Sequence, residues 1–120
     1  MNHPIVLLYI TVKDKNQARA IARTLVREKY AACANIIERI TSLFFWEGNL
    51  CDENEAVLIV KTRKSLLGRV IKRVKELHTY SVPCIVALPI VGGNPDFLKW
   101  VQTETDGTKR KNTYVRNRKT

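Results

Sequence analysis

The 120-residue sequence predicts one α+β domain of the ferredoxin-like class, a split βαββαβ arrangement with a long β-hairpin and a short C-terminal helix, and three observations carry it. Strand-like and helix-like segments follow one another in the order strand, helix, strand, strand, helix, strand. The first and last of these strands are apolar at odd and even positions alike, as strands covered on both faces are. The length suits a single core, large enough to fold without disulfide or metal staples, so no cofactor is required for folding.

The first strand is Ile5 to Val12, nearly unbroken apolar and β-branched sequence. The first helix opens on Asp14 with Gln17 three residues on, a capping-box spacing. Ala18, Ile21, Ala22 and Leu25 then form one apolar stripe, with Arg19, Arg23 and Arg27 on another face. Strand character returns from Cys33 to Trp46, with Glu38-Arg39 marking a bulge. Glu47-Gly48-Asn49-Leu50 turns the chain back, with Gly48-Asn49 suited to a type II′ hairpin turn, and Glu55 to Lys61 is the expected return strand. Ser65 is placed to cap the second helix, where Leu67, Val70, Ile71, Val74 and Leu77 form the stripe and Arg69, Lys72 and Arg73 face outward. Pro83 to Val91 reads as the last strand. Gly92-Gly93-Asn94-Pro95 breaks it, and Asp96 to Glu104 can form a third helix. The domain is drawn at residues 1–104, followed by a basic tail over residues 105–120.

Two helices cover one face of a sheet, so the doubly apolar strands need a second cover that the chain barely supplies. Fourteen residues of extended chain span about 46 Å, against a radius of gyration of about 14 Å for a domain of this length. The hairpin must therefore bend or reach out, where its edge groups can pair with a neighbour. Both observations predict a homo-oligomer.

Cys33, Cys51 and Cys84 are odd in number and make no Cys-x-x-Cys pair, which excludes a disulfide framework and a zinc ribbon and places the chain in a reducing compartment, the cytoplasm. The opening MNHPIVLLYITVK is too short an apolar run for a membrane span. Of the net charge of +10, the stretch 105–120 carries +5, with Tyr114 available to stack. That concentration allows nucleic-acid contact through the tail, while the thin spread of the remaining charge counts against nucleic acid as the main partner. No Ser-His-Asp pattern, Gly-rich phosphate loop or helix with metal-ligand spacing occurs, so the chain is read as non-catalytic.

The segments IVLLYITVKDKNQARAIARTLVREKYAACANII, TSLFFWEGNL, VLIVKTR and ELHTYSVPCIVALPIVGGNPDFLKWV together resemble the divalent-cation tolerance proteins, the CutA family, over about residues 5 to 103. The resemblance rests on ordered signatures: Ala31-Ala32-Cys33-Ala34-Asn35, Trp46-Glu47-Gly48, Lys61-Thr62, His78-x-Tyr80-x-x-Pro83 and Leu98-x-Trp100. It implies a ferredoxin-like subunit assembled as a homotrimer, a link to tolerance of divalent ions, copper binding in some members and an association with acetylcholinesterase anchoring in animal relatives. Thr79, Cys84 and Asn49 stand where the family commonly has proline, glutamate and lysine. Members proposed to bind copper use a strand cysteine and two adjacent histidines; here those positions read Ile10 and Leu77-His78.

Two sets of site residues follow. The metal candidates, for divalent copper, are His78, Cys33 and Cys84, against plainer roles for His78 in finishing a helix and for the cysteines as small buried apolar groups. The resemblance further brings Trp46, Glu47, Lys61, His78, Tyr80 and Trp100 toward a cleft between subunits. The leading function is a non-catalytic CutA-like homotrimer linked to copper binding and tolerance. The alternatives are a signalling or scaffold trimer binding a small anionic ligand or a protein at that cleft, and nucleic-acid binding through the tail.

Overall fold

A computed structural model describes residues 4–106. The elements are β1 (Ile5–Val12), α1 (Lys15–Arg27), β2 (Cys33–Trp46), β3 (Asn49–Arg63), a 3-10 turn (Lys64–Leu66), α2 (Leu67–Leu77), β4 (Ile85–Ile90) and α3 (Pro95–Glu104). The four strands form one antiparallel sheet in the order β2-β3-β1-β4, the arrangement of a split βαβ fold.

The register decides which residues meet the helices. Val6, Leu8, Ile10 and Val12 of β1 stand opposite Thr62, Val60, Leu58 and Ala56 of β3, and all eight are buried. Against this face α1 packs Ala18, Ile21, Ala22 and Leu25, and α2 packs Val70 and Val74, with Leu67, Ile71 and Leu77 at the margin. Asp14 caps α1 as expected, accepting from the Gln17 N–H at 2.9 Å, while the Gln17 side chain accepts from the Lys13 N–H at 3.3 Å. Ser65 does not cap α2. The helix enters through the 3-10 turn with Leu66 at its N-cap and no side-chain cap bond. Arg73 of α2 grips Glu28 just past α1 with two bonds of 2.9 and 3.0 Å and also reaches Glu76. The guanidinium hydrogen bond holds the Glu28 carboxyl below its ordinary range, so this pair's contribution is present above that range and lost as the pH falls.

The hairpin is longer than expected. β3 begins at Asn49, not Glu55, because Asn49 to Asp52 pairs residue by residue with Leu43 to Trp46. The register shifts between Ile37 and Ile40, which places the bulge at Glu38-Arg39. The two-residue turn is Glu47-Gly48, with φ of +51° and +83°, both positive as a type I′ turn requires; Asn49 is already strand. The hairpin beyond the bulge, residues 40–55, is the arm; the molecule measures 47 Å in its longest dimension, with a radius of gyration of 15.3 Å.

β4 runs only from Ile85 to Ile90 and is an edge strand, where Pro89 costs no central ladder bond. The sheet face away from α1 and α2 carries Leu7, Tyr9, Ile59, Ile37, Val86 and Leu88, of which Val86 and Leu88 are 51% and 50% exposed. One end of it is covered, where Ile5, Ala32 and Val101 of α3 form a small second cluster with Ile90 and Leu98. Thr105 is buried, its hydroxyl donates to the Val101 carbonyl at 2.9 Å and its carbonyl accepts from Arg63. Residues 107–120 of the basic tail lie outside the described residues.

Leu58→Ala removes a wholly buried side chain at the centre of the sheet and is expected to lower the unfolding free energy by about 2–5 kcal/mol in a urea melt. Gly48→Val meets open space yet forces a β-branched residue to φ +83°. It is expected to cost about 1–2 kcal/mol, visible as faster amide exchange confined to the arm.

Candidate functional site

Three elements end at one corner of the sheet, and α2 sets the geometry there. Its last free carbonyls need partners, and the His78 N–H donates to the Val74 carbonyl at 2.8 Å, after which the backbone turns extended and the imidazole swings toward β1. His78 Nε2 lies 2.8 Å from the Thr11 carbonyl, and His78 Nδ1 lies 3.1 Å from the Tyr80 amide nitrogen. A carbonyl only accepts and an amide N–H only donates, so Nε2 carries the hydrogen and Nδ1 offers its lone pair to Tyr80. The Tyr80 ring then leans on the imidazole at 4.7 Å between centroids, and its hydroxyl donates to Glu55 Oε2 of β3 at 2.8 Å. On the other side of Thr11, its N–H donates to the Cys84 carbonyl at 3.3 Å and starts β4.

This chain of bonds forms the wall of a cleft of about 500 Å³ at the base of the arm. Cys51, Glu53 and Glu55 alternate along β3 and share one face; Ser42, Phe44 and Trp46 of β2 face the same space, and Tyr80, Ser81, Val82 and Cys84 close it. Glu55 is only 6% exposed, so the Tyr80 hydroxyl is what compensates this buried oxygen. Burial first, then the hydrogen bond to Glu55 and the charges of Glu55, Glu53 and Asp14, push the Tyr80 hydroxyl far above the ordinary tyrosine range. It is a donor, not a base, at neutral pH.

Of the residues proposed from sequence, Trp46, Tyr80 and Cys84 line this cleft, and His78 stands behind Tyr80. Glu47 occupies the exposed turn at the tip of the arm. Lys61 and Cys33 face each other across β3 and β2 four residues further along the sheet from Val57, the partner of Thr11, which is about 13 Å away. There the Lys61 ammonium donates to Asn35 Oδ1. Burial raises the Cys33 thiol above its ordinary value, with Lys61 opposing, so it stays protonated. Trp100 belongs to α3, where its ring packs on Phe97 at 5.7 Å. A single chain therefore does not bring the six cleft residues together.

Sequence reading passed over Cys51, Glu53 and Glu55. With the turn ended at Leu50 and the return strand started at Glu55, residues 51–54 belonged to no element; starting the strand at Asn49 makes the period-two spacing of 51, 53 and 55 a usable signal. The metal candidates do not converge either. Cys33 lies at the far end of the sheet from His78, and both His78 nitrogens are engaged. Among the described residues no three His, Cys, Asp or Glu side chains are grouped to hold a metal ion.

Residues 6–104 match the family model described as CutA1 divalent ion tolerance protein. The chain is 42% identical over 102 residues to the chloroplastic protein CutA 1 of rice, covering 85% of this chain and 58% of that protein, so it spans little more than half of this relative's length. It is 43% identical over 99 residues to the divalent-cation tolerance protein CutA of Thermus thermophilus, covering 82% of this chain and 96% of the relative. The crystal structure of CutA1 from Oryza sativa superposes with a TM-score of 0.84 at 41% identity, covering 88% of this chain and 96% of that one.

Tyr80→Phe leaves the buried Glu55 oxygen without its donor and is expected to cost about 1–3 kcal/mol. The alkaline limb provides a second check. A tyrosine whose folded-state affinity for its proton is raised contributes stability fully below about pH 10, the unfolded value, and loses it as the pH climbs from there toward the folded value. Denaturant melts from pH 9 upward are expected to show a shallower decline in Tyr80→Phe than in the parent.

Proposed function

The chain belongs to the CutA1 divalent ion tolerance protein family, and on that premise we propose that it is a non-catalytic homotrimer whose clefts bind a divalent cation, copper foremost. The observation that supports the reading is that Glu53 and Cys84 line one cleft at the base of the arm, beside a Glu55 already engaged by Tyr80, so that they offer donors without forming a three-ligand group by themselves. Carboxylates suit any divalent ion, and divalent copper heads the affinity order of first-row divalent metals. His78 serves as the buckle behind Tyr80, since a metal on either ring nitrogen would have to displace one of its two hydrogen bonds. One chain offers too few convergent donors for a closed site, so the coordination is completed by a residue of an adjoining subunit. The arm, which carries Glu47 at its tip, is the segment able to reach across.

Support for the assembly comes from apolar surface that one chain leaves bare: Ile37, Val86 and Leu88 on the open sheet face, and Leu43, Phe45 and Leu50 on the arm, with Phe45 73% exposed. Bare apolar side chains of this size, on the open sheet face and on the other face of the arm, mark interfaces. The non-catalytic reading goes with a sequence that carries no Ser-His-Asp pattern and no Gly-rich phosphate loop. Three unpaired thiols agree with a reducing location, for which the cytoplasm is proposed.

The scaffold reading draws on the aromatic wall of Phe44, Trp46 and Tyr80. Glu53 and Glu55 repel a small anionic ligand, and Lys61 lies elsewhere in the chain, so an anion would need cations from an adjoining subunit.

Light scattering on the purified protein is expected to give three times the 13.8 kDa chain mass; a stable monomer at micromolar concentration would overturn the assembly. In calorimetric titration with divalent copper, Glu53→Gln combined with Cys84→Ser is expected to weaken binding tenfold or more, while His78→Ala keeps the stoichiometry. Unchanged binding in the double variant, or its loss in His78→Ala, would move the metal site away from the cleft.

A further inference from the structure

The fold sorts the charges of the chain by layer. Residues 13–29 and 64–76, which hold α1 and α2 with their flanks, carry eleven Lys and Arg against three acids. The remaining described residues carry four Lys and Arg against eight acids. Since α1 and α2 pack on the same sheet face, the subunit has a strongly basic outer layer and an acidic arm and cleft behind it.

On α1, Lys15, Arg19, Arg23 and Arg27 are exposed and recur every four residues, a cation about every 6 Å along the helix. On α2, which packs on the same sheet face, Arg69, Lys72 and Lys75 are exposed as well. Among the described residues Arg73 is the α1 and α2 cation held in ion pairs, by Glu28 and Glu76, while Arg69, Lys72 and Lys75 are exposed.

We infer that this helical layer is a docking surface for the phosphate backbone of duplex nucleic acid, bound without sequence preference. Close-spaced backbone phosphates reward a linear run of cations through counterion release, and guanidinium groups match phosphate geometry. The layer lacks what other polyanionic partners would need. Among the described residues, exposed large apolar side chains lie on the arm, around β4 and on α3, and none lies on α1 or α2. An amphipathic membrane-surface helix needs such residues to enter the lipid, and a protein interface needs them for its buried anchors. Exposed aromatic rings are likewise confined to the arm and α3, so nothing on the layer stacks on unpaired bases. The surface is separate from the cleft and from the open sheet face, and a trimer closed through those faces would present three such layers outward.

The test is fluorescence anisotropy of the full-length protein with a short labelled DNA duplex of arbitrary sequence, read as a function of salt. Binding is expected to weaken steeply with salt. The variant Arg19→Gln/Arg23→Gln/Arg27→Gln is expected to make the log–log salt slope shallower by about 2–3, roughly 0.9 for each phosphate no longer neutralised. Should that variant fail to keep the parent circular dichroism, Arg69→Gln/Lys72→Gln/Lys75→Gln provides the same readout from the other helix. A full-length variant with the Lys and Arg of residues 107–120 replaced by Gln separates the tail. If it abolishes binding while both helix variants bind as the parent, the proposal is overturned in favour of the tail. It is equally overturned by absence of binding at low salt, or by helix-dependent binding to phosphatidylserine vesicles without binding to the duplex.

Discussion

β1 lies between β3 and β4 with its even-numbered side chains under both long helices, and the rest of the structure depends on that placement. Leu8, Ile10 and Val12 are fully buried there, each worth about 1.5–3 kcal/mol of apolar burial. The same strand presents Leu7, Tyr9 and Thr11 to the opposite side, where α1 and α2 cannot reach. A strand apolar on both sides thus creates a core and an unmet demand together. The core fixes where α1 and α2 sit, and the unmet demand leaves Val86 and Leu88 of the neighbouring strand bare.

The C-terminal end of β1 also builds the site. Thr11 offers its carbonyl to His78 and its N–H to the carbonyl of Cys84, so the exit of α2 and the entry to β4 hang on one residue's backbone. With the imidazole held on one side by that carbonyl, its second nitrogen orients the Tyr80 amide, and Tyr80 in turn reaches the buried Glu55. A histidine used in this way is rigid and saturated. That is why the cleft in front of it presents carboxylates, a thiol and aromatic rings instead of imidazole.

Much of the fold was legible in the sequence because periodicity reports burial directly. The α1 stripe, the limits of β2 at Cys33 and Trp46 and the bulge at Glu38-Arg39 all follow from local pattern. The errors have local causes too. Polar Asp52, Glu53 and Asn54 hid the first half of β3, because an exposed arm is held by ladder hydrogen bonds and cross-strand pairs, which impose no apolar alternation. Ser65 looked like a cap, yet the chain enters α2 through a tight 3-10 turn that leaves the hydroxyl no role in capping the helix. The site was legible only in part: Trp46, Tyr80 and Cys84 were named, whereas Glu55, the acceptor for Tyr80, was taken only as the start of a strand.

From sequence alone came the class of fold, the order of its elements, the resemblance to the divalent-cation tolerance proteins and the expectation of uncovered apolar strands, because each is written in residue type and spacing along the chain. The tertiary structure decided which of those residues meet. It separated Lys61 and Cys33 from His78 by sheet register, set Trp100 on α3, closed both nitrogens of His78, joined Tyr80 to Glu55 and gathered the helix cations onto one layer. The physical reason is the same in each case: strand register and helix docking bring together groups tens of residues apart, and no local pattern encodes those distances.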